Sequence, residues 1–220
     1  AAIKAATNEQ TVAILVEPVQ GEGGVRPVAA DFLAFLRQQC DAKGCALIFD
    51  EVQCGLGRTG TFFAAEASGV TPDIYTLAKP LGGGLPMGAV LVSDAIAAAL
   101  GPGDHATTFG GGPFVATVAL DVVRTIAEPE FLAAVRSKGQ WLGERLQRLT
   151  ARSSRVREAR GRGLMWGLEL TEAAAVTVAA ARDRHLLVLT AGPNVIRIVP
   201  PLTISRDELE RGVTILEEVL

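Results

Sequence analysis

The chain has few aromatic residues and little net charge. Aromatic side chains make up 5% of its 220 residues, and the formal net charge at pH 7 is −3. Nucleic-acid-binding proteins usually have a basic excess, and single-strand binders stack bases on aromatic side chains. No apolar run approaches the about 18 residues that a membrane-spanning helix needs. The composition therefore predicts neither a nucleic-acid partner nor a membrane span.

Residues that bind metals are also scarce. The three cysteines, Cys40, Cys45 and Cys54, form no Cys-x-x-Cys pair, and the chain has only two histidines. No spacing typical of a zinc site occurs, so we predict no metal site. The odd number of thiols favours reduced cysteines and a cytoplasmic protein.

The first part of the chain alternates apolar strand-like segments with helical ones. A hydrophobic content of 49% is enough for a substantial core at this length. Near-continuous apolar strands separated by helices are typical of an α/β sheet that is covered on both faces. We predict a helix capped by Asp31, and strands at 12–16, 46–49, 74–77 and 89–92.

The second part begins with helical periodicity from Pro113 to about Leu149, broken at Glu128-Pro129. Beyond it we predict a last helix that begins with a capping box, Ser205 to Glu208, and strands at 162–170, 186–189 and 195–199. We therefore divide the chain into part of a large domain (1–120), connecting helices (121–150) and a small α+β domain (151–220).

Two neighbouring strand ends carry residues with distinctive chemistry. Lys79 follows an apolar strand in a chain that uses seventeen arginines and only four lysines. Only a lysine amine forms a Schiff base, although a strand-end lysine can also simply extend to solvent. Asp50 follows another apolar strand, where a carboxylate needs a cationic partner or serves as a cap. A lysine with a carboxylate is the pair that pyridoxal phosphate requires.

Several motifs, in order along almost the whole chain, resemble the class III aminotransferases of pyridoxal-phosphate (PLP) fold type I. The motifs are EPVQGEG at 17–23, DEVQ at 50–53, GLGRTG at 55–60, LAKPLGGG at 77–84 and TTFGG at 107–111. The spacing from Asp50 to Lys79 also fits. VQCG at 52–55 and RGRGLM at 160–165 look most similar to the acetylornithine group of that family. The resemblance implies a PLP-dependent transferase fold, with a partial large-domain sheet and a small α+β C-terminal domain.

The resemblance implies a role for each motif around the cofactor, pyridoxal 5′-phosphate. Lys79 would bind it covalently and move a proton, and Asp50 would pair with the ring nitrogen. Val52 would pack on the ring, and Gln53 would bond its phenolic oxygen. Thr108 would bind the phosphate of the neighbouring subunit's cofactor, which implies a homodimer. The predicted cofactor-binding residues are Asp50, Glu51, Val52, Gln53, Lys79 and Thr108.

The same resemblance implies the substrate-binding residues. Arg197 would bind a substrate carboxylate, Glu22 would pair with that arginine, and Thr107 would lie close to the substrate. An arginine flanked by apolar strand residues suits bidentate carboxylate binding, although it can also lie on a solvated strand face. Glu22 can likewise be a solvated loop carboxylate. One departure from the family is Gly112, where asparagine is usual.

The activity implied is transfer of the terminal amino group of N-acetylornithine to 2-oxoglutarate in arginine biosynthesis. Sibling substrates are succinylornithine, ornithine and 4-aminobutyrate. An aminomutase such as glutamate-1-semialdehyde aminomutase is an alternative, as is a non-enzymatic dimerisation module. Family members are about twice as long and carry further cofactor- and substrate-binding residues upstream. We therefore expect the chain to be a C-terminal part with little activity alone.

Overall fold

The structure, a computed structural model, describes residues 2–220. Its strands are β1 Ala13–Val16, β2 Val19–Gln20, β3 Arg26–Pro27, β4 Ala46–Asp50, β5 Ile74–Leu77, β6 Ala89–Val92, β7 Val156–Arg162, β8 Met165–Leu170, β9 Leu189–Thr190 and β10 Val195–Ile198. Its α-helices are α1 Ala2–Ala6, α2 Ala30–Lys43, α3 Asp94–Ala97, α4 Pro113–Ala127, α5 Pro129–Arg152, α6 Ala174–Asp183 and α7 Arg206–Val219. Two 3₁₀ turns span Ala64–Ser68 and Lys79–Gly82.

The larger layer is a four-stranded sheet in the order β1-β4-β5-β6. Its first three strands are parallel, and β6 runs antiparallel to β5. Helix α2 packs on it through Leu33 and Leu36, which lie in one buried cluster with Leu47 and Phe49. Gly44 ends the helix in the left-handed region, where glycine has no steric penalty. The four predicted strands are confirmed, to within a residue at each end.

Two details of this layer differ from the predictions. The N-cap of α2 is Ala29, and Asp31 lies in the first helical turn, where its carboxylate accepts a bond from the next amide. Leu15 is 61% exposed and Val90 is 65% exposed. These two apolar side chains are therefore left uncovered within residues 2–220, although the sheet was predicted to be covered on both faces.

Helices α4 and α5 separate where the sequence predicts a break. Glu128 has extended backbone, because the ring of a following proline disfavours the α region at the preceding residue. Pro129 then begins α5 in a position that needs no amide donor. Helix α4 packs on the Lys79–Gly82 turn, where a Cβ at Gly83 would lie 3.0 Å from Val118 Cγ1. These contacts fix the segment that follows β5.

The smaller layer is an antiparallel sheet in the order β7-β8-β10-β9. It packs with α5, α6 and α7 around a buried apolar cluster that includes Leu142, Leu168, Ile196 and Leu209. The capping box of α7 is confirmed, since Ser205 Oγ accepts from the Glu208 amide and the Ser205 amide donates to Glu208.

Two strand predictions in this layer are wrong in their bounds, and one helix is missing from the predictions. The strand predicted at 162–170 contains the last residue of β7, a turn and all of β8, because Gly163 turns the chain with φ of 54°. The strand predicted at 186–189 is the short β9, and α6 was not predicted. The division at 120 and 150 stays a prediction, although the two sheets do lie on either side of α4 and α5 in the chain.

Candidate functional site

Three polar residues follow the carboxyl ends of parallel neighbouring strands. Glu17 follows β1, Asp50 ends β4, and Lys79 comes two residues after β5. Because β1, β4 and β5 are parallel and adjacent, these ends lie along one edge of the sheet. Ligand sites in α/β folds form at such edges. The fold therefore brings the two residues selected for their chemistry, Asp50 and Lys79, to adjacent strand ends.

One carboxylate oxygen of Asp50 accepts two hydrogen bonds within the protein. Its Oδ1 accepts from the Val52 amide at 3.0 Å and from the Thr76 hydroxyl at 3.1 Å. Thr76 is the register partner of Asp50 on β5. Within residues 2–220 its Oδ2 accepts no hydrogen bond. The carboxylate is thus oriented by two donors while one oxygen stays available to an external N–H.

Lys79 adopts an uncommon backbone conformation. Its φ is 42°, in the left-handed region, which costs a non-glycine residue about 1 kcal/mol or more. It begins a 3₁₀ turn whose next residue is Pro80. Such outliers cluster at functional sites, where the surrounding structure holds them in place. Packing of α4 on this turn provides that support.

A cavity of about 510 Å³ is lined by Lys79 and by the charged residues Glu22 and Arg197. Lys79, Gln53, Glu22 and Arg197 supply polar groups to its wall. Its other lining residues are mostly apolar: Gly55, Leu56, Arg58, Pro80, Ile126, Phe131, Leu189, Val199 and Leu202. A mostly apolar cavity with a few convergent polar groups is typical of a small-molecule site.

Arg197 and Glu22 form an ion pair in this cavity. Arg197 Nη1 donates to Glu22 Oε1 and, at 3.1 Å, to Gln53 Oε1. The bond to Arg197 holds the pKa of Glu22 below its ordinary value. Arg197 is only 9% exposed, and its Nε has no partner among the described residues. The Glu22 side chain is 75% exposed. The arginine of the pair is therefore buried, and the glutamate is exposed to solvent.

Glu51 points into the protein instead of the cavity. It is 1% exposed, and its carboxylate accepts from the Ala64 amide at 2.6 Å and the Ala65 amide at 2.8 Å. Burial raises the pKa of Glu51 to about 7. These contacts indicate that Glu51 holds the Ala64–Ser68 turn against the loop that follows β4. Its predicted contact with the cofactor stays a prediction without support from this geometry.

Thr107 and Thr108 lie away from the cavity within this chain. Both are exposed in the segment between α3 and α4, and Thr107 Oγ1 accepts from the Gly110 amide at 3.0 Å. Phe109 beside them is 91% exposed. Their predicted roles toward a neighbouring subunit stay predictions.

Arg58 is a structural residue that the sequence analysis missed. Its Nη1 donates to the carbonyls of Leu164, at 3.0 Å, and Pro200, at 2.6 Å. Burial lowers its pKa to about 10. Arg58 thereby ties the glycine-rich loop after β4 to the small sheet, and the cavity lies at this junction. The only sequence signal for this role was the position of Arg58 in the glycine-rich motif at 55–60.

The residues present fit pyridoxal phosphate. The cavity wall supplies the Lys79 amine and the Gln53 amide. The Asp50 carboxylate, with one oxygen free of a donor among residues 2–220, does not line the cavity but lies at the neighbouring strand end. No cluster of three or more metal-ligating side chains occurs in residues 2–220, and no helix in that range is long and apolar enough to cross a bilayer. All three cysteines are buried and free.

Comparisons with known proteins agree with the motifs. The family model described as "Aminotransferase class-III" matches residues 1–220. The mitochondrial acetylornithine aminotransferase of Alnus glutinosa is 52% identical over 99% of this chain and 49% of its own length. The acetylornithine aminotransferase of Rhodobacter capsulatus is 44% identical over 98% of this chain and 55% of its own. The resemblance drawn from the sequence is confirmed.

Solved structures confirm the fold class. The N-acetylornithine aminotransferase of Stenotrophomonas maltophilia superposes with a TM-score of 0.89 at 37% identity, over 99% of this chain and 58% of that one. The ornithine aminotransferase of Toxoplasma gondii gives 0.92 at 31% identity, over 98% and 52%. The chain spans about half the length of the curated relatives that it matches.

Proposed function

Because this chain belongs to the class-III aminotransferase family, we propose that it supplies the lysine-bearing part of an acetylornithine aminotransferase. The reaction is transfer of the terminal amino group of N-acetylornithine to 2-oxoglutarate, as a step of arginine biosynthesis. The observation that carries the proposal is one cavity that contains both Lys79 and the Arg197–Glu22 pair.

Pyridoxal 5′-phosphate is the cofactor of this family, and it supplies an electron sink for the bond-breaking step. Lys79 would hold it through its amine and would move the proton at the reacting carbon. Asp50 would pair with the ring nitrogen and keep that nitrogen charged. The Thr76 and Val52 donors orient the Asp50 carboxylate for this purpose.

The Arg197–Glu22 pair lets one cavity accept two kinds of amino donor. N-acetylornithine reacts at a carbon that bears no carboxylate, so Glu22 stays on Arg197 and neutralises it. Glutamate and 2-oxoglutarate carry a carboxylate beside the reacting carbon, so Glu22 leaves and the guanidinium fork binds that carboxylate. The exposure of Glu22 and the burial of Arg197 support this assignment.

We place this enzyme in a homodimer in the cytoplasm. Thr107 and Thr108 lie exposed on a segment with Phe109, and a neighbouring subunit would receive them there. Three free buried thiols suit a reducing compartment. The name of the Alnus glutinosa relative points to mitochondria as the alternative compartment.

The test uses a full-length protein that contains residues 1–220. It is incubated with pyridoxal phosphate, 2-oxoglutarate and one amino donor, and glutamate formation is measured. We expect the highest kcat/KM with N-acetylornithine, ahead of succinylornithine, ornithine and 4-aminobutyrate. A higher value with one of those three donors would overturn the substrate assignment. No glutamate from any of them would overturn the activity.

We also propose that residues 1–220 alone have little activity. Two observations support this. Thr108 does not line the cavity of its own chain, and strands such as β1 leave apolar side chains uncovered. The same assay, run on residues 1–220 with N-acetylornithine, tests this. Turnover equal to that of the full-length protein would refute it.

A further inference from the structure

Arg160 and Arg197 lie in one row across the small sheet. Gly167 on β8 is the register partner of Arg160 on β7 and also of Arg197 on β10. Directly opposed residues of neighbouring strands point to the same face of a sheet. The two arginines therefore flank a position without a side chain on one face.

The loop that carries Glu22 lies over this glycine. A Cβ at Gly167 would be 3.3 Å from the Gly24 carbonyl oxygen and 3.0 Å from Val25 Cβ. Gly167 thus permits the close approach of the loop. Val25 is fully buried there, in a cluster with Met165 and Val195.

The two arginines hold the loop from opposite sides of Gly167. Arg197 binds Glu22, as described above. Arg160 donates to the Gly24 carbonyl through Nε at 3.0 Å and through Nη2 at 2.7 Å. Only Gly23 separates Glu22 from Gly24, and a turn bond from the Val25 amide to the Gly21 carbonyl encloses both. A movement of Gly24 therefore moves Glu22 relative to Arg197.

Arg160 is itself fixed at its other end. Its Nη1 donates to Glu169 at 2.6 Å and to Glu158 at 2.6 Å, and its side chain is only 10% exposed. The bond to Arg160 lowers the pKa of Glu169, which keeps that carboxylate ionised. A lysine at 160 lacks the planar fork and cannot serve the carbonyl and the carboxylates with the same geometry.

We propose that Arg160 is a positioning residue that sets Glu22 against Arg197 by holding the Gly24 carbonyl. It thereby determines how the site discriminates between substrates with and without a carboxylate at the reacting carbon. This inference rests on the proposed function. In this inference Arg160 contacts neither substrate nor cofactor. Its effect is confined to the masking of Arg197, by which we mean the pairing of Glu22 with Arg197 that keeps the guanidinium from a substrate carboxylate.

The test compares Arg160→Lys with Arg157→Lys in the full-length protein. Arg157 lies on the same strand and also pairs with Glu169, but it is exposed and does not contact Gly24. For Arg160→Lys we expect KM for N-acetylornithine to rise about fivefold, with kcat and KM for 2-oxoglutarate within about twofold. In a Glu22→Gln background the same substitution should add less than about twofold. Arg157→Lys should leave all constants unchanged.

A second measurement does not depend on activity. Amide hydrogen exchange at residues 21–25 should speed up about tenfold in Arg160→Lys and stay unchanged in Arg157→Lys. If Arg160→Lys does not fold, Gly167→Ala replaces it, since its Cβ displaces the same loop. Equal rises in both KM values, an undiminished effect in the Glu22→Gln background, or unchanged exchange at 21–25 would each overturn the inference. A protein without transaminase activity but with the predicted exchange would refute the proposed function alone.

Discussion

Replacement of Glu51 by glutamine should change how the stability of the fold depends on pH. Glu51 is buried, and both its oxygens accept amide protons from the Ala64–Ser68 turn. Glutamine keeps the size and one acceptor but cannot ionise. One amide then loses its acceptor, so the variant should be less stable than the unaltered protein at low pH by about 1–3 kcal/mol.

The magnitude of the pH effect follows from the raised pKa. Burial raises the pKa of Glu51 from its ordinary value of 4.5 to about 7 in the folded protein. This rise corresponds to about 3 kcal/mol. Because the folded pKa is higher than the unfolded one, this stabilisation of the protonated form is fully present below pH 4.5. It is lost as the pH rises through 7.

The assay is urea unfolding of residues 1–220 at several values between pH 4.5 and pH 8, followed by circular dichroism. The free energy of unfolding of Glu51→Gln, relative to the unaltered protein, should increase by about 3 kcal/mol across this range. Glu9→Gln is the control, since Glu9 is exposed and lies outside this turn. A stability difference between Glu51→Gln and the unaltered protein that does not change with pH would refute the reasoning.

Three further substitutions test other parts of the account. Arg58→Met should lower the free energy of unfolding by about 2–4 kcal/mol, because it deprives the Leu164 and Pro200 carbonyls of their donor; exposed Arg148→Met should cost under about 0.5 kcal/mol. Gly163→Ala should cost at least about 3 kcal/mol in urea unfolding, because its Cβ would lie 2.5 Å from the Thr59 carbonyl carbon. Gly192→Ala also has positive φ but nothing within 4 Å, so about 1 kcal/mol is expected there, and equal costs would contradict the packing argument. Glu22→Gln should raise KM for N-acetylornithine at least about fivefold more than KM for 2-oxoglutarate in the transaminase assay, and equal rises would contradict the masking role.

The strands of the larger sheet and their ends could be predicted because local signals were strong there. Apolar runs of four or five residues bounded by polar motifs marked β4, β5 and β6 to within a residue. The helix break at Glu128 followed from the proline beside it, and the last helix followed from its capping box. Asp50 and Lys79 were selected by chemical type, and parallel pairing then placed them at one edge.

The remaining features depend on contacts between distant residues. In the sequence Glu51 is an acidic residue like its neighbour Asp50, yet its carboxylate accepts hydrogen bonds from the amides of Ala64 and Ala65. Arg58 and Arg160 bind backbone carbonyls more than a hundred residues away, and no periodicity signals such a bond. The β7–β8 hairpin was missed because a continuous run of small and apolar residues concealed the turn at Gly163.

Covalent trapping of the cofactor at Lys79 tests the central claim most directly. The protein that contains residues 1–220 is incubated with pyridoxal phosphate, reduced with borohydride and digested, and the peptides are analysed by mass spectrometry. We predict a pyridoxyl adduct on the peptide that contains Lys79. The adduct should be absent from the Lys79→Ala protein. It should remain in the Lys43→Ala control, because Lys43 lies on the surface at the end of α2. An adduct that persists in Lys79→Ala at another lysine, or no adduct on the unaltered protein, would contradict the account.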